Sequence, residues 1–325
     1  MKNVNYIQTR RNDEFHRLNN LDLQELLVQV QNQKLEYRDS LDLPGDIEFQ
    51  IAIQHNAENE REVELNYKWD SKRIWNAATH YELLSPISKN TKEFWKELQQ
   101  TCNILKKKYT YAAPNSAGHI KIGAATLYKD MEAWRVFLKL NAIYENVLYR
   151  FGYGEKINAR EDISDDAKPI AKWLYTILPQ INSAEKVQDL WLVLPKDKDI
   201  AIDFKELSYN WPGTSLEQQN YLKIKSPNGT FEEVIWQNNI NAYAKMLDSA
   251  RNKVINEEFL DYKLQRKPIP YFLYDSIHLQ DALEFVDLVF DNNLDKIYFL
   301  RQYLKDFKEA FGMEKTIQAP SFIKR

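Results

Sequence analysis

Hydrophobic and polar residues alternate strictly over residues 47–54, directly after the chain-breaking pair Pro44-Gly45. The apolar positions are Ile47, Phe49, Ile51 and Ile53, and the positions between them are Glu48, Gln50, Ala52 and Gln54. Successive side chains of a strand point to opposite faces of its sheet, so this period of two predicts a half-buried strand. One face of the strand belongs to a core, and the other carries mostly polar groups.

Shorter stretches of the same kind predict more strands. They cover residues 63–69, 82–86, 118–123, 199–204 and 221–225. The first is expected to form a hairpin with the strand over 47–54, and the last leads into a Pro-Asn-Gly turn. Turn residues at the ends of a short alternating run are typical of strands.

Apolar residues at helical spacing predict helices over 20–36, 91–108 and 129–150, and over almost all of the chain beyond Trp236. Helices thus come in blocks around the strands, which indicates an α+β fold with an antiparallel or mixed sheet. We expect an N-terminal helical segment over 1–40, an α+β domain over 41–235, and C-terminal helices over 236–325 packed on that domain. The aromatic stripes of these last helices are typical of packing, and a protein-binding face is the alternative.

Composition narrows the class of protein. The chain has 325 residues, with 44 basic and 47 acidic side chains and a net charge of −3. Such a balance favours neither a nucleic acid nor a membrane as partner. No apolar run approaches the roughly 20 residues that span a bilayer, and the first residues lack the apolar core of a secretory signal. With a single cysteine, Cys102, these features predict a cytoplasmic protein, and the many Asn, Lys and Ile residues hint at a bacterial source.

Five ordered segments resemble one enzyme family. They are residues 37–44, the run His80-Tyr81-Glu82-Leu83-Leu84-Ser85-Pro86, the run Gly118-His119-Ile120-Lys121-Ile122-Gly123, the loop over 149–169 with Asn158 and Arg160, and Pro227-Asn228-Gly229-Thr230 with the residues up to Gln237. In this order they resemble the amidoligases, distant relatives of glutamine synthetase that join a carboxylate to an amine with ATP. The resemblance implies a glutamine synthetase-like sheet packed by helices, with ATP and Mg²⁺ as cofactors.

This chain differs from the family first at the carboxylates of the first strand. The family carries them there in a Gly-x-Glu-x-Glu pattern. Phosphoryl transfer needs such ligands because a divalent metal neutralises the phosphate oxygens. In this chain the two glutamate positions fall on Ala52 and Gln54. A slipped register that places Glu48 first still puts Gln50 second, so at least one ligand is missing in either alignment.

Two lysines stand at further ligand positions of the family. Lys121 replaces the second imidazole of its His-x-His strand, and Lys223 replaces the acid of its Glu-Phe-Arg strand. An ammonium group cannot ligate Mg²⁺ and repels it. The resemblance therefore implies a degenerate site in which no metal is expected.

Other family-like positions survive. The candidate catalytic residues are Glu82, His119, Arg160 and Lys225, and the candidate ligand-binding cations are Arg160, Lys225, Lys121 and Lys223. Asp70-Ser71 resembles, over two residues, the family's substrate loop. Each has an ordinary alternative: a structural histidine at position 119, a structural ion pair at Arg160, and solvated lysines on a strand surface.

Two functions follow from the resemblance. Loss of metal ligands favours a binding or regulatory pseudoenzyme with a protein or peptide partner, in which Lys121 and Lys223 replace the charge of the metal and pair with Glu82 or Glu48. The alternative is an active ATP-dependent carboxylate–amine ligase that forms amide or isopeptide bonds. Retention of Glu82, His119 and Arg160 supports this alternative. An oligomer stays open, since glutamine synthetase forms its sites between subunits.

Overall fold

The computed structural model describes residues 23–56, 69–73, 80–108, 116–124, 127, 130–195, 197–204, 221–252 and 255–313. In these ranges seven strands form one antiparallel sheet. They are β1 (Glu48–Asn56), β2 (Asp70–Arg73), β3 (His80–Leu84), β4 (Ser88–Lys89), β5 (Gly118–Gly123), β6 (Ile202–Asp203) and β7 (Tyr221–Ile224). Their order is β2-β3-β1-β5-β7-β6, and β4 pairs with one end of β1.

Most strand predictions are confirmed with small shifts. The strands predicted over 47–54, 118–123 and 221–225 are β1, β5 and β7, whereas the one over 199–204 is confirmed only at the two residues of β6. The strand predicted over 63–69 lies almost wholly outside the described residues. Asp70–Arg73, which follows it, pairs with β3 instead of β1.

Helices surround the sheet, and the α+β class is confirmed. They are α1 (Leu23–Asn32), α2 (Lys92–Lys108), α3 (Met131–Ile143), α4 (Glu145–Gly152), α5 (Ile163–Asp166), α6 (Ala171–Ser183), α7 (Val187–Val193), α8 (Glu233–Arg251), α9 (Glu257–Leu264), α10 (Leu279–Val289), α11 (Asn293–Leu304) and α12 (Phe307–Met313), with a 3₁₀ turn at Tyr271–Leu273. None of the helices in the described ranges has both the length and the hydrophobicity that crossing a membrane requires.

The apolar face of the sheet and the helices share one core. Phe49 of β1 packs against Phe94 and Trp95 of α2, with ring centroids 5.0 and 5.3 Å apart. The same cluster of buried apolar residues extends from Leu26 of α1 to Ala310 of α12. Phe299, Tyr303 and Phe307 of the last helices belong to it, and Tyr298 is buried as well. Packing therefore accounts for the aromatic stripes of these helices.

The helix predicted over 129–150 is divided at Tyr144, where the backbone adopts φ −106° and ψ 22°. Both side chains at the break are tied to other helices. The hydroxyl of Tyr144 donates to Glu284 of α10, and the Glu145 carboxylate accepts hydrogen bonds from the start of α6. Hydrophobic periodicity contains no information about such tertiary contacts, and the single long helix was therefore the wrong prediction.

The turn over 227–230 connects three elements. Gly118 N donates to Pro227 O at 3.0 Å, and Gly229 N donates to Ser116 O at 2.6 Å, which ties the turn to the start of β5. Asn228 N donates to Gly152 O at the end of α4, at 2.9 Å. The turn thus holds the start of α8 and the end of α4 against the sheet.

We expect Gly229→Ala to lower the free energy of unfolding by roughly 1–3 kcal/mol, the usual cost of overpacking. An added Cβ would lie 2.7 Å from Ser116 Cβ and 2.9 Å from Ala117 O. Urea denaturation followed by tryptophan fluorescence measures the change. Gly45→Ala is the matched control, because a methyl group there meets nothing within 4 Å. An equal decrease in the free energy of unfolding of both variants would contradict the close packing of the turn.

Candidate functional site

The register of the sheet brings the singled-out polar residues to one face. Gln54 lies opposite Glu82, Ala52 opposite His119, and Gln50 opposite Lys121. Lys121 in turn lies opposite Lys223, which lies opposite Asp203. We call the face that carries these eight residues the polar face.

Ala52 lies at the centre of the polar face, between β3 and β5. His119 Nδ1 lies 3.4 Å from Glu82 Oε1, although their strands are separated by β1. The methyl side chain of Ala52, which is completely buried, occupies little of the space between them. The small side chain of Ala52 thus leaves room for the contact between Glu82 and His119.

His119 is held in its neutral form. Its pKa lies well below the ordinary value, first because the ring is buried, and then because Lys223, Lys121 and Lys225 lie nearby. The contact with Glu82 is therefore a polar contact of a neutral imidazole and not an ion pair. Neutral His119 beside a carboxylate is suited to fixing the orientation of Glu82.

Lys121 and Lys223 are a like-charged pair directly opposite each other on neighbouring strands. Such a pair destabilises a sheet unless something else offsets the repulsion. Both side chains are partly buried. In the part of the chain that the structure describes, the ammonium group of Lys223 forms no hydrogen bond or ion pair. It is the cation of this face that is best placed to receive an anion.

The side-chain amides of β1 bind backbone groups. Gln54 Oε1 accepts a hydrogen bond from Ala117 N at 3.1 Å, and Gln50 Nε2 donates to Ser85 O at 2.6 Å. An amide both donates and accepts, so it can satisfy backbone groups that a carboxylate cannot. These residues support the ends of neighbouring strands.

Glu48 and Glu82 make contacts other than the expected pairing with the two lysines. Glu48 accepts a hydrogen bond from the Tyr221 hydroxyl at 2.7 Å and lies 3.8 Å from Lys89 Nζ. Glu82 contacts His119. Tyr221 was not identified from the sequence as a residue of this site. Its position two residues before Lys223, on the same side of the predicted strand, could have indicated it.

The side chains of Arg160 and Lys225 donate hydrogen bonds to backbone carbonyl oxygens. The guanidinium of Arg160 donates to the carbonyl oxygens of Lys225 and Pro227, both at 3.1 Å, and to Asp166 Oδ1 at 2.7 Å. Lys225 Nζ donates to the carbonyl oxygens of Asp166 and Lys198. Arg160 therefore forms the structural ion pair that was the alternative to a ligand contact, and its hydrogen bonds hold the chain just after β7.

Asp70 and Ser71 belong to β2 at the edge of the sheet, and not to a loop. Asp70 lies opposite Leu84 and so shares the polar face, whereas Ser71 lies opposite Leu83 and points to the other side. Both are exposed. The structure separates these two residues instead of joining them in one substrate-binding element.

The residues present do not fit the magnesium that the family resemblance implies. The ligand positions hold an alanine, an amide engaged with the backbone, and two lysines, at Ala52, Gln54, Lys121 and Lys223. Within the described ranges, no group of three or more His, Cys, Asp or Glu side chains is placed to hold a metal ion. Glu82 and His119 alone offer too few ligands for the six oxygens that Mg²⁺ prefers.

Comparison with known proteins leaves the family undecided. No family model matches the chain, and no curated protein matches it. The likeness to amidoligases therefore remains a resemblance carried by the five segments.

We expect Lys223→Met to raise the pKa of His119, because the variant removes the charge that, after burial, does most to lower this pKa. An imidazole with a lowered pKa takes up its proton more readily in the unfolded chain, so folding stability falls as the pH drops below about 6.5. Lys223→Met should therefore lose less folding stability at low pH than the unaltered protein. NMR titration of the ring and urea denaturation at pH 7.5 and 5.5 measure both effects.

Lys172→Met is the control for this prediction, since Lys172 is an exposed residue of α6. The control should leave the titration of His119 unchanged. An unchanged titration in Lys223→Met would refute the electrostatic description of the polar face.

Proposed function

We propose that this chain is an amidoligase-like binding protein that has lost metal-dependent ligation and holds an anionic group on its polar face. The group is a carboxylate or a phosphate of a protein, peptide or nucleotide partner. Lys121 and Lys223 contribute the positive charge that Mg²⁺ supplies in the family.

The facing lysines Lys121 and Lys223 carry this proposal. Their strands place them opposite each other, where two like charges repel. An oxyanion bound between them reduces that repulsion and gains charge-assisted hydrogen bonds. The partly buried position of both side chains strengthens the attraction, because the effective dielectric constant is lower than in bulk water.

His119 and Glu82 orient the bound group in this proposal. The neutral imidazole, 3.4 Å from Glu82 Oε1, can present its second ring nitrogen without adding charge. Glu82 limits how far a negatively charged ligand extends toward β3. On the polar face the two lysines of β5 and β7 therefore lie between Glu82 of β3 and Asp203 of β6, which favours one orientation of the partner.

Isothermal titration calorimetry with inorganic phosphate, ATP and a short glutamate peptide tests the proposal. At least one of these oxyanions should bind in the presence of EDTA, and added Mg²⁺ should not tighten the binding. Lys223→Met should weaken it about tenfold or more, because a hydrogen bond to a charged group contributes ~1.5–3 kcal/mol. Lys172→Met should bind like the unaltered protein.

Three outcomes would overturn the proposal. The first is the absence of binding by all three oxyanions, and the second is an equal loss of affinity in Lys223→Met and Lys172→Met. The third is ATP-dependent phosphate release, with a carboxylate and an amine present, that Glu82→Ala abolishes. That result would establish the working ligase instead.

A further inference from the structure

A cavity of about 170 Å³ lies among the helices, and none of the residues that line it belongs to a strand of the sheet. The ends of α3 and α9, the starts of α4, α6 and α10, and the segment after α9 form its wall. A cavity of about 150 Å³ in another protein accommodates benzene, which has six heavy atoms. This one is therefore large enough for a compact molecule of about six or seven heavy atoms.

Glu145 supplies a buried carboxylate to the cavity wall and is only 4% exposed. Its oxygens accept hydrogen bonds from Ala171 N at 3.1 Å, from Ile170 N, and from the Tyr274 hydroxyl at 2.9 Å. A carboxylate has about four acceptor positions, so these three donors leave one for a ligand. Burial raises the pKa of Glu145 to about 7, which shows how strongly its charge lacks solvation.

The mouth of the cavity is basic. Arg266 and Lys267 line it and are exposed, and Lys263 lies deeper in its wall. Lys263 is engaged, since its ammonium group lies 2.6 Å from Glu284 Oε1. In the described part of the chain, the guanidinium of Arg266 forms no hydrogen bond or ion pair. The arginine is thus available for a carboxylate from solution.

Tyr175 also lines the cavity. Burial raises the pKa of its hydroxyl, the negative charge of Glu145 raises it further, and the positive charge of Arg266 lowers it. Asp281 adds a second acid to the wall, where it accepts a hydrogen bond from the Asn146 amide at 3.3 Å and lies 4.0 Å from Lys263 Nζ. The cavity therefore has acceptors inside and a free cation at its mouth.

We propose that this cavity binds a small α-amino or α-hydroxy acid. The ligand's carboxylate pairs with Arg266 at the mouth, and its amino or hydroxyl group donates to the remaining acceptor position of Glu145. Three basic and two acidic side chains in the wall give the cavity a surplus of positive charge, which suits a ligand that carries a carboxylate. The hydrogen-bond donor at the other end of the ligand distinguishes it from a simple fatty acid.

The site is separate from the polar face. The residues that line the cavity belong to helices and the segments between them, and none of them is a residue of the polar face. Binding here therefore neither requires nor excludes an anion on Lys121 and Lys223, and the two proposals fail independently.

Thermal-shift measurements and isothermal titration calorimetry with alanine, lactate and propionate test this assignment. Their nearly equal size isolates the contribution of the donor group. Alanine or lactate should raise the melting temperature and bind at least about tenfold more tightly than propionate, because propionate leaves Glu145 without a ligand donor. Arg266→Gln should weaken that binding about tenfold or more, and Lys96→Gln, which changes an exposed residue of α2, should not.

Arg266 is exposed, so its variant should fold like the unaltered protein. Glu145→Gln serves as a second test and should lower the preference for alanine over propionate. Absence of binding by alanine and lactate at millimolar concentrations would overturn the assignment. Equal binding of propionate, or unchanged binding in Arg266→Gln, would do so as well.

Discussion

The register of β5 between β1 and β7 is the constraint on which the arrangement of this protein depends. Lys121 faces Gln50 on one side and Lys223 on the other, while Ile120 and Ile122 enter the core. A slip of one residue would turn the lysine into the core and the isoleucines out of it. The turn at Pro227 and Gly229 prevents such a slip, because both residues hydrogen-bond to the start of β5.

The facing pair Lys121 and Lys223 is the central property of the polar face. The amides of Gln50 and Gln54 bind backbone groups, and Ala52 makes room for the contact between Glu82 and His119. The side-chain amides of β1 thus take part in the hydrogen bonding of the neighbouring strands. The two partly buried lysines beside them are unfavourable for a cation.

The helical layer shows a different use of buried charge. Glu145 caps α6 from the start of α4, and this contact divides a segment whose hydrophobic pattern predicts one continuous helix. Arg160 acts similarly on the segment after β7, where it binds carbonyl oxygens and Asp166. Buried ions of this kind are stable only when their hydrogen bonds are satisfied, and they make the positions of the connected elements specific.

The sequence by itself determined the α+β class, the strands β1, β5 and β7, and which residues within each strand share a face. These features follow from local alternation, because a period of two decides the facing of every residue in a strand. Only the tertiary structure decided the break at Tyr144, the commitment of Arg160 and Lys225 to backbone carbonyls, and the cavity beside Glu145. Each of these depends on contacts between residues far apart in the chain, and local patterns do not encode such contacts.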